Sequence, residues 1–165
     1  MGFNNHGSDV VLNRIKSNNK LGVLGINVGP NKDSDNRIND YLIGIEKFYE
    51  VADYITINIS SPNTENLRNF HDERKLQDLL KSVSEKKKNL DSTIPIVVKI
   101  SPDIDENQIN LISEILLEND ISGIIISNTS ETSRDILNNI QRHQKGGLSG
   151  KPIEKKSNLL INKFY

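Results

Sequence analysis

The stretch Tyr54-Ile55-Thr56-Ile57-Asn58-Ile59-Ser60-Ser61-Pro62-Asn63-Thr64 decides the reading of this chain. A short β-branched run ends in a cluster of amides and hydroxyls, as a buried strand does when it emerges into a site. The pattern recurs. Gly22-Val23-Leu24-Gly25-Ile26 stops at Asn27, Ile94-Pro95-Ile96-Val97-Val98 stops at Lys99, and Gly123-Ile124-Ile125-Ile126 stops at Ser127-Asn128-Thr129. In a parallel α/β sheet, ligand-facing groups sit at the carboxyl ends of strands.

Between these runs lie helical patterns, so the order alternates strand and helix and predicts a parallel sheet. A first amphipathic helix is expected over 8–18, before strand 22–27. Asp35 is a plausible start for the next helix, whose apolar side is Tyr41, Leu42, Ile45, Phe48 and Tyr49. Strand 54–59 leads into a long polar loop reaching about His71. Leu76, Leu79, Leu80 and Val83 mark a third helix. Strand 95–100 turns through Ser101-Pro102-Asp103 into a helix lined by Ile109, Ile112, Ile115 and Leu116. Strand 123–127 is followed by a polar, mobile loop with a helical piece over 130–147, and Pro152 opens a terminal helix. The strands recur at roughly 30-residue intervals, about one βα unit each. Four such units could form half a barrel or a small open sheet. The half barrel is favoured because no Gly-x-Gly-x-x-Gly phosphate loop follows a strand and because polar ends recur on every strand rather than at one switch point.

Composition narrows the function classes. The chain has 165 residues, enough for one domain with a real core but short of the ~250 of a complete eight-fold barrel. Its net charge of −1 gives no general affinity for nucleic acid. Lys86-Lys87-Lys88 and Lys155-Lys156 read as solvated faces beside acids. Cysteine is absent, which excludes disulfides, thiolate metal sites and a cysteine nucleophile. His6, His71 and His143 are scattered without metal-ligand spacing, so no metal site is expected and solvated or structural roles are.

Several residues carry chemistry with a bland alternative beside it. Lys99 closes an apolar strand; it either snorkels to water or sets a fixed positive charge beside a ligand. Asn58 and Asn63 flank Ser60-Ser61-Pro62, and their amides suit a ligand edge of alternating N–H and C=O groups, or simply cap the loop. Asn27 and Asn128 carry the same alternatives, although recurrence at several strand ends weighs against a purely structural role. Ser61 needs a neighbour or water to take its proton before it can act as a base. Gly146-Gly147-Leu148-Ser149-Gly150 is either a backbone nest or a flexible turn.

Taken together, these segments resemble the class 2, quinone-dependent dihydroorotate dehydrogenases. The resemblance rests on Gly2-Phe3-Asn4-Asn5-His6-Gly7, Leu24-Gly25-Ile26-Asn27-Val28-Gly29, Asn58-Ile59-Ser60-Ser61-Pro62-Asn63-Thr64, Val98-Lys99-Ile100-Ser101-Pro102-Asp103, Ser127-Asn128-Thr129 and Gly146-Gly147-Leu148-Ser149-Gly150-Lys151-Pro152. It implies a (β/α)8 TIM barrel of which this chain covers roughly the middle four βα units, so that 1–165 is a partial FMN-binding domain with both ends of the barrel missing. The implied activity is FMN-dependent oxidation of dihydroorotate to orotate in pyrimidine synthesis, with electrons passed to a quinone.

The resemblance also implies roles. Ser61 is the catalytic base, where class 1 enzymes carry cysteine, and Thr64 belongs to the relay that carries the proton away. Asn27, Asn58, Lys99, Ser127 and Gly150 match cofactor contacts; threonine is more usual at Ser127, and the hydroxyl is kept. Asn58, Asn63, Asn128 and Thr129 match the substrate set, with Gly2 and Phe3 ending a further substrate segment. The implied location is peripheral on the bacterial inner membrane, or the mitochondrial one in a eukaryote, through a segment outside this chain. Pro62-Asn63-Thr64-Glu65-Asn66-Leu67-Arg68 looks more like the bacterial members. Two other readings stand beside this one: another FMN barrel acting on pyrimidines, and a noncatalytic half-barrel binding module.

Overall fold

The computed structural model describes residues 4–19, 21–64, 66–132 and 134–165. Four strands, β1 (Gly25–Val28), β2 (Tyr54–Asn58), β3 (Ile96–Lys99) and β4 (Gly123–Ile125), form one parallel sheet. Their spatial order follows the chain, β1-β2-β3-β4. Every crossover therefore steps in the same direction. That puts all the helices on one face and winds the sheet as a barrel winds, with no reversal of order to create a switch point.

The two faces of the sheet differ because side chains alternate along a strand. Ile55, Ile57 and Ile59 of the β2 segment, and Ile96, Val98 and Ile100 of the β3 segment, lie under the helices and are buried. The register pairs Asn27 with Thr56, Asn58 with Lys99, and Lys99 with Ile125. These positions project from the opposite face, the interior of the barrel curve. Apolar strands that stop at a polar residue are thus also strands with one apolar and one partly polar side.

Helices α1 (Ser8–Ser17), α2 (Arg37–Phe48), α3 (Glu73–Asn89), α4 (Glu106–Glu118) and α5 (Lys151–Phe164) match the expected ones closely. Tyr41, Ile45 and Phe48 of α2, Leu76, Leu79, Leu80 and Val83 of α3, and Ile109, Ile112, Ile115 and Leu116 of α4 face the sheet. Asp105 caps α4 in a reciprocal capping box with Gln108. Pro152 sits in the first turn of α5, where its missing N–H costs nothing.

Four expectations need correction. Strand β1 begins at Gly25, not Gly22, because Gly22 has a φ of 86°, outside the extended region. The α2 cap is Asn36, whose side chain accepts from the Asn39 N–H, rather than Asp35. The expected polar loop after β2 closes in a 3-10 turn, Leu67–His71, that buries Leu67, Phe70 and His71; Phe70 meets Tyr41 edge-on at 5.9 Å. Lys156 is not a solvated charge but an ion-pair partner of Asp103.

Candidate functional site

The carboxyl ends of β1, β2 and β4 are joined through side-chain amides and a serine hydroxyl, with the end of β3 in register beside them. Asn58 ends β2 and is buried. Its Oδ1 accepts from the Ser60 N–H at 3.1 Å and the Ser60 hydroxyl at 3.0 Å, which bends the chain sharply after the strand. Its Nδ2 donates to Asn27 Oδ1 at 3.2 Å, across to β1. Ser60 Oγ in turn accepts from Asn128 Nδ2 at 3.0 Å, reaching the end of β4. Asn128 Oδ1 accepts from the Thr129 N–H at 2.7 Å. One line of hydrogen bonds, Asn27–Asn58–Ser60–Asn128–Thr129, thus fixes which end of each amide is presented to the barrel interior.

Tyr41 secures this line from beneath, its hydroxyl donating to the Asn58 carbonyl at 2.7 Å. Burial is the main influence on that phenol and pushes its pKa up, so it remains a donor. Beside Asn58, in register on β3, stands Lys99, half-buried and without an ion-pair or hydrogen-bond partner among the described residues. A buried-side amide pair next to an uncommitted ammonium is a donor set for a polar ring edge on which negative charge develops.

Ser61 is buried just beyond this line. Its Oγ accepts from the Asn63 N–H at 3.3 Å, while its own proton has no acceptor among the described residues. Thr64 is buried on the same turn; no hydrogen bond joins it to Ser61 among the described residues. Asn63 is exposed at the rim. The structure therefore brings together Asn27, Asn58, Lys99, Ser61, Asn128 and Thr129. Ser127 turns away toward α5, its hydroxyl within 2.9 Å of Ser157 Oγ, and Gly150 caps α5 with a φ of 76°. Gly2 and Phe3 lie outside the described residues.

The glycine-rich stretch is a fixed turn here. Ser130 and Leu148 exchange backbone hydrogen bonds at 2.9 and 2.7 Å. Gly147 lies so close to Thr129 that a Cβ would come within 1.7 Å of Thr129 Oγ1. The segment between, expected as mobile, is bonded internally: the Arg134 guanidinium donates to the carbonyls of Arg142, Gln144 and Gly146, and Ile140–His143 forms the helical piece. A cleft of about 720 Å³ opens between this segment and Pro62–Asn63. None of the residues of the amide line borders this cleft, so the convergent side chains and not the cleft define the site.

Sequence reasoning missed several of the residues that build it. Ser60 was read only as a neighbour of Ser61, yet it bridges two strand ends. Arg68, Asp103 and Ser130 were given no role in the site, and Tyr41 was read only as part of the apolar side of its helix. Asp103 accepts from Arg68, Lys156, Ser130, Thr132 and the Glu131 N–H. Burial alone would raise its carboxyl pKa, but the hydrogen bonds from Lys156, Ser130, the Glu131 N–H and Thr132 outweigh burial and hold it well below the usual carboxylate range. His71 fits its structural reading. Its Nδ1–H donates to the Arg68 carbonyl at 2.8 Å and its Nε2 accepts from the Ser101 N–H at 3.3 Å, with burial lowering its pKa. Of the missed residues, Asp103 alone carried a usable signal, a charge placed just after a strand end; Arg68 lies in the later 3-10 turn Leu67–His71.

Comparison with known proteins points the same way. A family profile described as dihydroorotate dehydrogenase matches residues 1–165. The dihydroorotate dehydrogenase (quinone) of Bartonella tribocorum is 41% identical over 168 residues, covering 99% of this chain and 47% of that protein. The enzyme of the same description from Buchnera aphidicola is 44% identical over 171 residues, covering all of this chain and 51% of that protein. The ligand-free DHODH of Eimeria tenella superposes with a TM-score of 0.91 at 29% identity, covering 99% of this chain and 52% of that one. The chain thus spans about half the length of the curated relatives it matches, and the expected parallel α/β barrel fold agrees with the solved neighbour.

Proposed function

This chain belongs to the dihydroorotate dehydrogenase family, and we propose that it forms the central, base-bearing part of a quinone-dependent enzyme that oxidises dihydroorotate to orotate. The observation that carries the proposal is the hydrogen-bonded line Asn27–Asn58–Ser60–Asn128 across three strand ends, with Ser61 beside it and Lys99 uncommitted in register with Asn58. Amides so held present a fixed order of donors and acceptors, which suits both a pyrimidine ring and the edge of a flavin.

In this reading Asn58, Asn63, Asn128 and Thr129 orient the substrate ring, with Gly2 and Phe3 as further contacts. Ser61 takes a proton from one ring carbon. A serine hydroxyl is a weak base, so its proton must leave through a neighbour or water; Thr64, buried on the same turn, is the proposed relay. Asn27, Asn58, Lys99, Ser127 and Gly150 fit FMN by the chemistry of their donor set. When bound, FMN would supply the acceptor for the hydride and the route of the electrons to quinone. Lys99 would stabilise negative charge with a cation already in place. Ser127 fits less directly, because its hydroxyl is engaged by Ser157.

The domain 1–165 is on this reading a partial FMN-binding barrel, and the working enzyme is peripheral on the bacterial inner membrane, where quinone is available. No helix among the described residues is long and apolar enough to cross a membrane. The test is anaerobic mixing of the full-length, flavin-loaded protein with dihydroorotate. Bleaching of the flavin, lost on Ser61→Ala with the flavin still bound, is the expected result. Flavin that stays oxidised in the unaltered protein overturns the proposal.

A further inference from the structure

We infer that Arg68 is a positioning residue for the Ser61 base, holding the turn that carries Ser61 against the strand end that carries Thr129. The inference rests on the reading of Ser61 as base given above. Arg68 uses all three guanidinium nitrogens. Nε donates to the Ser60 carbonyl at 3.2 Å, the peptide group that leads directly into Ser61. One terminal nitrogen donates to the Thr129 carbonyl at 2.9 Å. The other meets Asp103 at 2.9 Å and Glu131 at 3.0 Å. Backbone of the base turn and backbone of the substrate-facing strand end are therefore joined through one rigid plane.

That plane is itself anchored. Asp103 follows β3, is only 11% exposed in its side chain, and is tied to α5 through Lys156. The Arg68 carbonyl is held by buried His71, whose other ring nitrogen accepts from Ser101. The β2, β3 and β4 ends thus converge on the guanidinium. Arginine suits this task because its donors diverge in a fixed fork, whereas lysine offers a point charge that cannot hold two carbonyls and a carboxylate in one plane. Catalysis is sensitive to such spacing: a displacement of about 1 Å can cost about 100-fold in rate.

The test uses the full-length, flavin-loaded protein in anaerobic stopped-flow reduction by dihydroorotate, unaltered and as Arg68→Lys, with Asp103→Asn as a second variant. Reduction in the unaltered protein is the gate, and its absence counts against the proposed activity rather than against Arg68. Given that gate, Arg68→Lys is expected to keep its flavin and its cooperative thermal unfolding while its reduction rate at saturating substrate falls about 10- to 100-fold. Deuterium on the carbon that loses the proton should slow Arg68→Lys by a larger factor than the unaltered protein, because proton removal has become limiting. Asp103→Asn should show the same isotope signature with a smaller loss. A purely structural role would lower flavin content or melting temperature and leave the rate per bound flavin and its isotope effect unchanged. That result overturns the inference, as does failure of both variants to load flavin.

Discussion

Asn58 donates to Asn27 across the β1–β2 boundary at 3.2 Å while its own oxygen is occupied by Ser60, so a buried amide has no freedom to flip. The two residues lie 31 apart in sequence, and their contact fixes how two strand ends face the barrel interior. Asn58→Leu keeps the size but removes both the donor and the acceptor. Leaving the Ser60 N–H unpaired in a buried turn costs about 1–3 kcal/mol, so the urea midpoint should fall accordingly.

Gly147 and Thr129 set a steric prediction. A methyl group at Gly147 would lie 1.7 Å from Thr129 Oγ1, 2.3 Å from Thr129 Cβ and 3.2 Å from Pro62 Cγ. Thr129 must rotate or shift to admit it, and overpacking of this kind costs about 1–3 kcal/mol. Gly147→Ala should therefore weaken orotate binding to the flavin-loaded protein about tenfold, equivalent to about 1.4 kcal/mol. Titration of the flavin absorbance with orotate reads this directly.

Asp103 predicts a loss of stability in acid. Its folded pKa lies below the unfolded value of about 3.9 because the donors around it outweigh burial. Between the two values the unfolded chain binds more protons, so stability rises with pH there. The contribution is complete above the unfolded pKa and disappears as pH falls through the folded one. Asp103→Asn should flatten the dependence of the denaturation midpoint below about pH 4, compared with the unaltered protein.

His71 acts in a higher window with the same sign. Burial is the largest influence and lowers its pKa from an ordinary value of about 6.5. The neutral ring is also what the geometry requires, since Nε2 must accept from Ser101. Stability from the neutral ring is full above about pH 6.5 and declines as pH falls below it, because only the unfolded chain gains the proton readily. His71→Phe should lose this slope and, with the Ser101 N–H unpaired, about 1–3 kcal/mol at neutral pH. Denaturation series between pH 5 and 8 check both.

Much of this protein was legible in local pattern. Ile-Thr-Ile-Asn-Ile alternates with the period of a strand, and Leu76, Leu79, Leu80 and Val83 with that of a helix, because burial of one face must follow backbone geometry. The candidate site was legible in outline for the same reason: polar residues that stop an apolar strand have to face something. Boundaries were less so. Gly22-Val23-Leu24 has the composition of a strand, but Gly22 leaves the extended region at a φ of 86° and the ladder with β2 starts at Gly25; pairing rather than propensity decides where a strand starts.

The sequence by itself determined the alternation of strands and helices, the polar strand ends, and the family to which Ser61, Lys99 and their neighbours point. Only the tertiary structure decided which of these polar groups touch. Ser60 became a bridge between Asn58 and Asn128, Arg68 a clasp joining Ser60 to Thr129, and Lys156 the partner of Asp103. The partners in these contacts lie up to 68 positions apart. Local periodicity reports which face a side chain takes, since it depends on neighbouring backbone alone. Which groups meet depends on the register and order of strands brought together by the core, and no short stretch of chain carries that.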